Sequence, residues 1–216
     1  MDHYFNSPIV SRFGSYQLVL DQRETSAYTL AQFHSPVIHS GLTIIHSPTT
    51  LAGDGIYCTK EEIAQLKSIQ QNIVFEIKTA DCLAVLIEGD NGFAFIHAGW
   101  KGLQQKILIQ NEVIAIKPKI AYFFPYIHAQ NYVVGKEFLR YFSEYSKNIF
   151  IQNNGELIFD LKLCAIEQLQ CSFHNIKIND SFAECTFQNE RLYSYRKNKT
   201  INRNRHIFTI KYEEEK

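Results

Sequence analysis

The chain has 216 residues, 45% apolar and 20% charged, which excludes a disordered or fibrous polypeptide and predicts one well-cored domain over residues 1–216. Lys plus Arg equals Asp plus Glu at 22 each, so nothing in the charge points to nucleic acid or to an anionic membrane. The five cysteines are odd in number, irregularly spaced and without a CxxC pair, which predicts reduced thiols and argues against a zinc ribbon.

Along the chain, Met1–Ser15 shows no basic stretch leading into an apolar run, and no later stretch approaches membrane-spanning length. With the cysteines, this predicts a cytoplasmic location. Strands are expected over Tyr16–Leu20, Leu42–His46 and Ile73–Lys78, then over Leu83–Ile87 and Phe93–Ile96 as a hairpin. Glu88-Gly89-Asp90-Asn91-Gly92 supplies its turn chemistry. A helix is expected over Leu103–Ile116 and a strand over Lys119–Phe124. A second helix over Lys136–Ser146 places Phe138, Tyr141, Phe142 and Tyr145 on one face. Asp160 can N-cap a third helix running to about Cys171. The acidic run Glu213-Glu214-Glu215 reads as solvated. Strands mixed with helices, with an antiparallel pair as the best-defined contact, predict an α+β fold: a mixed, largely antiparallel β core with flanking helices.

The chemistry concentrates at the hairpin. Thr79-Ala80-Asp81-Cys82 enters its first strand, and His97-Ala98-Gly99-Trp100-Lys101-Gly102 leaves its second. A hairpin brings its open ends together, so Cys82 and His97 are expected to be neighbours, as in a metal site or a Cys/His catalytic pair. A buried free cysteine beside a hydrogen-bonded histidine accounts for the pair equally well. Gly99 and Gly102 bracket Trp100-Lys101 before a predicted helix, a possible anion-binding turn to which Lys101 adds charge. A zinc ion in a catalytic site takes three protein ligands. Spacing alone does not choose the third from His3, His34, His39, His46, His128, His174 and His206, although His34 and His39 are nearest upstream.

The segments Lys78 to Ile87 and Phe93 to Leu103 resemble the YfiH family, also called laccase-domain or multicopper polyphenol oxidoreductase-like proteins. Its members carry T-A-D-C-x-P-V followed by H-A-G-W, a basic residue and G. Gln32-Phe33-His34-Ser35 resembles the family's Q-x-H segment, and Asp54-Gly55-Ile56-Tyr57-Cys58-Thr59 echoes a D-A-x-x-T element. Tyr132-Val133-Val134-Gly135-Lys136-Glu137 resembles Y-x-V-G-x-E. Asp160-Leu161 resembles the D-L that opens a helix, and Cys185-Thr186, Tyr193-Ser194-Tyr195-Arg196, Thr200 and Arg203 follow the family ending. The matches keep family order from about residue 30 to 205.

The resemblance implies a YfiH-like fold and a zinc site made by His34, Cys82 and His97, the catalytic centre. A thiolate with two neutral imidazoles suits zinc and leaves the shell open to substrate. Asp81 is placed to orient a ligand or a substrate hydroxyl, although a solvated turn residue is an equal alternative. Trp100 or Tyr126 could stack a purine, and Lys101, Arg196 and Arg203 could hold an anion. The chain departs from the family at Phe123-Phe124-Pro125-Tyr126, where a glycine is lost and a pocket wall could be reshaped. It departs again at Asn202, and in an abbreviated N-terminal part where Arg23 is a weak substrate-site candidate.

The activity implied is zinc-dependent phosphorolysis of purine nucleosides (adenosine, inosine or methylthioadenosine) to base and ribose 1-phosphate, with adenosine deamination. The implied partners are a nucleoside and phosphate. One alternative is a metal-free Cys/His hydrolase of cell-wall peptide precursors, with Cys82 as nucleophile and His97 as base. Another is copper-dependent polyphenol oxidation. Eight histidines and no H-x-H pair argue against a copper cluster, while copper could still load the His/Cys/His set in vitro. A non-enzymatic binding module is the blandest alternative.

Overall fold

The computed structural model describes residues 9–22 and 26–211, in an α+β arrangement whose strands form sheets of six, five and three. Arg23, His3 and the run Glu213–Glu215 lie outside the described residues. The hairpin sits at the centre of the six-stranded sheet. Leu83–Gly89 pairs antiparallel with Gly92–Ala98 on one side and with Pro118–Phe123 on the other. Gly55–Thr59 extends the sheet antiparallel, and short parallel strands, Ile38–Ser40 and Lys177–Asn179, close its two edges. Asp90-Asn91 forms the turn. At Gly92 the backbone φ is +145°, and a Cβ would lie 2.0 Å from the Cys58 carbonyl oxygen, so only glycine fits.

Every residue of the two hairpin strands is buried. Alternate side chains enter different cores, as the period of two dictates. Leu83, Val85 and Ile87 pack with Leu103, Phe123 and Phe159. Ala84 and Leu86 pack with Tyr16, Phe75 and Phe208, which belong to the five-stranded sheet. That sheet centres on Asn204–Ile210, antiparallel to both Gly14–Val19 and Val74–Thr79. Helix Lys60–Ile69 starts at a reciprocal cap in which Thr59 and Glu62 each accept the other's backbone N–H. Helix Leu161–Ser172 starts where Asp160 accepts from the Leu163 N–H at 2.9 Å, as its sequence predicts.

Three expected elements differ. The run expected as a strand over Leu42–His46 is a helix, Gly41–His46, because the Ser40 hydroxyl accepts from the Thr43 N–H and caps it. The expected long helix over Leu103–Ile116 is broken into Trp100–Gln104, a 3-10 turn over Ile107–Ile109, and Asn111–Ala115. Gln168, from the neighbouring long helix, donates to the Leu103 carbonyl and accepts from the Leu108 N–H, each at 2.9 Å. One side chain thus takes over groups that a continuous helix would pair internally, and Lys106 turns left-handed at the break. The helix expected over Lys136–Ser146 is a single turn, Phe138–Tyr141, although Phe138 and Phe142 do face the core.

Candidate active site

Three segments meet at the open end of the hairpin. Cys82 immediately precedes the first strand, and His97 is the second-last residue of the other. His34 comes from the irregular stretch ahead of Ile38–Ser40 and adopts a left-handed backbone, φ 64°. The ligand atoms of His34, Cys82 and His97 all lie within 4.8 Å of one another. Cys82 Sγ is 3.9 Å from His34 Nε2, and the two imidazoles meet edge to face at 4.9 Å. Zn–S near 2.3 Å and Zn–N near 2.0 Å put tetrahedral sulfur and nitrogen ligands about 3.5 Å apart, so Cys82 and His34 would close by a few tenths of an ångström and no pair by more than about 1.5 Å. The donor set and its spacing therefore fit a zinc ion. Among the described residues this is the one His/Cys/acid group so arranged.

Gly99 sets how tightly the group can close. Its φ is ordinary, but a Cβ there would lie 3.0 Å from both Cys82 Sγ and His34 Cδ2. Sequence reasoning assigned Gly99 to an anion-binding turn; in the structure it is also the space in which thiol and imidazole approach each other.

The electrostatics are those of a thiolate–imidazolium pair. Burial works against ionising Cys82, but the charge of His97 and hydrogen bonds from His34 and His97 outweigh it and bring the thiol down to about 6. Burial likewise opposes charge on His97, yet Cys82 and Asp54 raise it to about 9. Asp54, fully buried, is the partner that sequence reasoning missed. Its carboxylate lies 2.7 Å from His97 Nδ1, and burial notwithstanding it is held down to about 2 by His97 and the Ser35 N–H. Its only signal was the family-like element beginning at residue 54.

The three residues form part of the wall of a cavity of about 640 Å³. Lys78, Arg196, Lys199 and Arg203 bring cations to the same wall, and Tyr132 and Tyr195 bring rings. The Arg196 guanidinium sits over the Tyr132 ring at 5.0 Å and donates to the Val133 carbonyl at 2.7 Å. Arg203 donates to the Thr200 and Asn202 carbonyls. Asp81 also lines the cavity, but its carboxylate is engaged: it accepts from the Thr186 hydroxyl at 2.8 Å and from the Arg196 N–H at 2.6 Å. Its backbone is left-handed, φ 96°. As the residue preceding Cys82, it thus ties the first turn of the short helix Tyr195–Asn198 to the site.

The remaining expectations sort by position. Trp100 reaches the wall while its ring packs on Phe138 and Tyr141. Lys101 is not part of the wall; its ammonium lies over the Trp100 ring. Tyr126 and Phe124 are buried elsewhere, Tyr126 against His128 and Phe124 stacked on Tyr16 at 3.5 Å. Neither reshapes the cavity wall, and Tyr126 offers no ring to a substrate there. His39 bonds the Ala52 carbonyl, and His206 lies buried between Tyr16 and Thr79.

The Cys/His/His cluster beside a cationic cavity could hold a metal ion in this α+β protein. Residues 15–211 match the family described as multi-copper polyphenol oxidoreductase laccase, and the chain belongs to that family, the YfiH family. It is similar to a purine nucleoside phosphorylase of Aquifex aeolicus (strain VF5), with 33% identity over 138 residues, 62% of this chain and 64% of that protein. Purine nucleoside phosphorylase YfiH of Shigella flexneri is 32% identical over 141 residues, 60% of this chain and 56% of that protein. The matched stretch thus spans less than two thirds of either relative. In fold the chain is similar to Neisseria meningitidis protein NMB0706, with a TM-score of 0.70 and 24% identity over 86% of this chain and 75% of that one. YlmD from Geobacillus stearothermophilus gives a TM-score of 0.64 at 19% identity over 87% of this chain and 74% of that one.

Proposed function

We propose that the protein is a zinc-dependent purine nucleoside phosphorylase with adenosine deaminase activity, and that His34, Cys82 and His97 hold the metal. The observation that carries this reading is the convergence of those three donors under a wall bearing Arg196 and Arg203. Relatives named as purine nucleoside phosphorylases support it. Bound zinc supplies Lewis-acid polarisation and lowers the pKa of water, which suits attack on the purine C6 of adenosine.

The chain's own groups account for the phosphorolysis. Arg196 and Arg203 hold the phosphate dianion, with Lys78 and Lys199 adding positive charge at the same wall. An oxygen of the hydrogen phosphate dianion bonds to the ribose C1′ as the bond from C1′ to the purine nitrogen breaks, and the base leaves carrying the proton that phosphate gives up. Tyr132, held under Arg196, offers an apolar face to the nucleoside. Asp81 accepts from the Arg196 N–H in the first turn of the helix Tyr195–Asn198, which Ser194 caps, and so helps position the anion-binding guanidinium.

A test incubates metal-quantified protein with inosine or adenosine, with and without phosphate, and chromatographs the products. Phosphate-dependent release of free base is expected, with inosine appearing from adenosine. No base release and no inosine would end the purine reading. Cys82→Ala is expected to lose both metal and activity.

One observation favours a second reading, the Cys/His hydrolase of cell-wall peptide precursors: the Cys82 thiol is brought down to about 6 beside His97. Activity on such peptides that survives chelation would select it. Copper-dependent polyphenol oxidation requires copper retained through purification. Among the described residues no helix is long and apolar enough to cross a membrane.

A further inference from the structure

Asp54 has no exposed surface, and a carboxylate so placed must be satisfied by partners. It is satisfied from two directions. Oδ1 lies 2.7 Å from His97 Nδ1, and the Asp54 carbonyl accepts from the His97 N–H, also at 2.7 Å. Oδ2 accepts from the Ser35 N–H at 2.7 Å, the Ser35 hydroxyl at 3.0 Å and the Phe33 N–H at 3.3 Å. The two gripped amides flank His34. That residue adopts the left-handed conformation, φ 64°, which is unfavourable for a non-glycine residue and persists only where the surroundings impose it.

We infer that Asp54 is a positioning residue that aims both imidazoles of the Cys82 cluster. With Nδ1–H donated to the carboxylate, Nε2 is the His97 atom left to ligate once a metal displaces its proton, and that atom is the one near Gly99, Cys82 and His34. By holding the amides on either side of His34, the same carboxylate keeps the strained backbone that points His34 Nε2 at Cys82. One buried charge therefore couples ligands 63 residues apart in sequence. Residues Gly55–Thr59 continue directly into the central sheet, so the carboxylate is anchored to the rigid part of the fold. The inference rests on the zinc reading of the cluster.

The test measures zinc affinity of the full chain by chelator competition, and the absorption bands of the cobalt(II) form, for wild type, Asp54→Asn and Ser35→Ala. Asp54→Asn is expected to weaken zinc binding by about 10- to 100-fold and to shift the cobalt bands. Ser35→Ala removes one hydroxyl donor from the His34 side and is expected to weaken zinc severalfold. An Asp54→Asn protein that melts lower but binds zinc as tightly as wild type, with unchanged bands, would show that the carboxylate serves the fold alone and overturn the inference. If Asp54→Asn does not fold, unchanged zinc affinity in Ser35→Ala overturns it equally. Wild type that binds neither metal overturns the zinc reading and this inference together, an outcome separate from the other two.

Discussion

Gly99→Ala adds one methyl group at the place where the candidate ligands approach each other. The new Cβ would lie 3.0 Å from Cys82 Sγ, 3.0 Å from His34 Cδ2 and 3.6 Å from His97 Nε2. Comfortable carbon contacts begin near 3.5 Å, so the first two side chains must each retreat by about half an ångström. Metal binding requires the opposite motion, because the 3.9 Å between Cys82 Sγ and His34 Nε2 must shorten. The backbone at Gly99 has φ −72°, which alanine adopts without strain, so the cost is steric. Overpacking of a buried site costs about 1–3 kcal/mol, and the low end applies because side chains, not backbone, must give way. For a chain of this size that corresponds to a melting temperature lower by roughly 2–5 °C. The expected signature is this modest loss of stability with a tenfold or larger loss of zinc affinity, read by thermal unfolding and chelator competition on one preparation. Wild-type zinc affinity in Gly99→Ala would refute the argument that this glycine sets the closeness of the ligands.

Glu76→Gln removes the charge facing Arg205 across a buried pair 2.5 Å apart, and urea unfolding should show a loss of about 3–5 kcal/mol. His206 is driven down to about 3 by burial and by His97, so the folded protein binds fewer protons there than the unfolded chain. Its contribution is complete above about pH 6.5 and is lost as pH falls toward 3, by at most roughly 5 kcal/mol. His206→Gln should flatten the acid limb of stability against pH, and an unchanged slope would contradict this. Arg196→Ala should raise the KM for phosphate by about 10- to 100-fold, the worth of a charge-assisted hydrogen bond, while leaving the melting temperature nearly unchanged. A change confined to kcat would argue against its role in holding the anion.

The hairpin was legible because its turn chemistry and apolar runs are local, and its geometry forces Cys82 and His97 together. The helix at Asp160 was legible through its cap. What sequence could not show was decided by distant partners. The β-branched residues of Leu42–His46 favour a strand, yet a single serine cap yields a helix. Leu103–Ile116 has the composition of a helix, but Gln168, far along the chain, takes its internal hydrogen-bonding groups. At the site, His34 entered only through family resemblance, since its approach to Cys82 depends on a loop geometry with no periodic signal. Asp54 was visible as a motif residue without a role, because its carboxylate meets His97 only in the folded sheet. Tyr132 and Tyr195 likewise occupied motifs; of the two rings offered by sequence, Trp100 reaches the cavity wall and Tyr126 turns inward.

The three donors also differ in how firmly the fold holds them. Cys82 and His97 end two strands whose every residue is buried, while His34, the least buried of the three, sits on an irregular stretch held by the Asp54 grip, the Ala31–Ala52 bridge and hydrogen bonds from Gln32 and Gln105. Segments with little buried contact open first, on timescales far shorter than global unfolding. If His34, Cys82 and His97 hold an ion, His34 would be the donor that lets go first, leaving Cys82 and His97 on the hairpin as the firmer pair. The lifetime of such an ion would then follow the opening rate of residues 31–37, and a chelator should strip the site without melting either core.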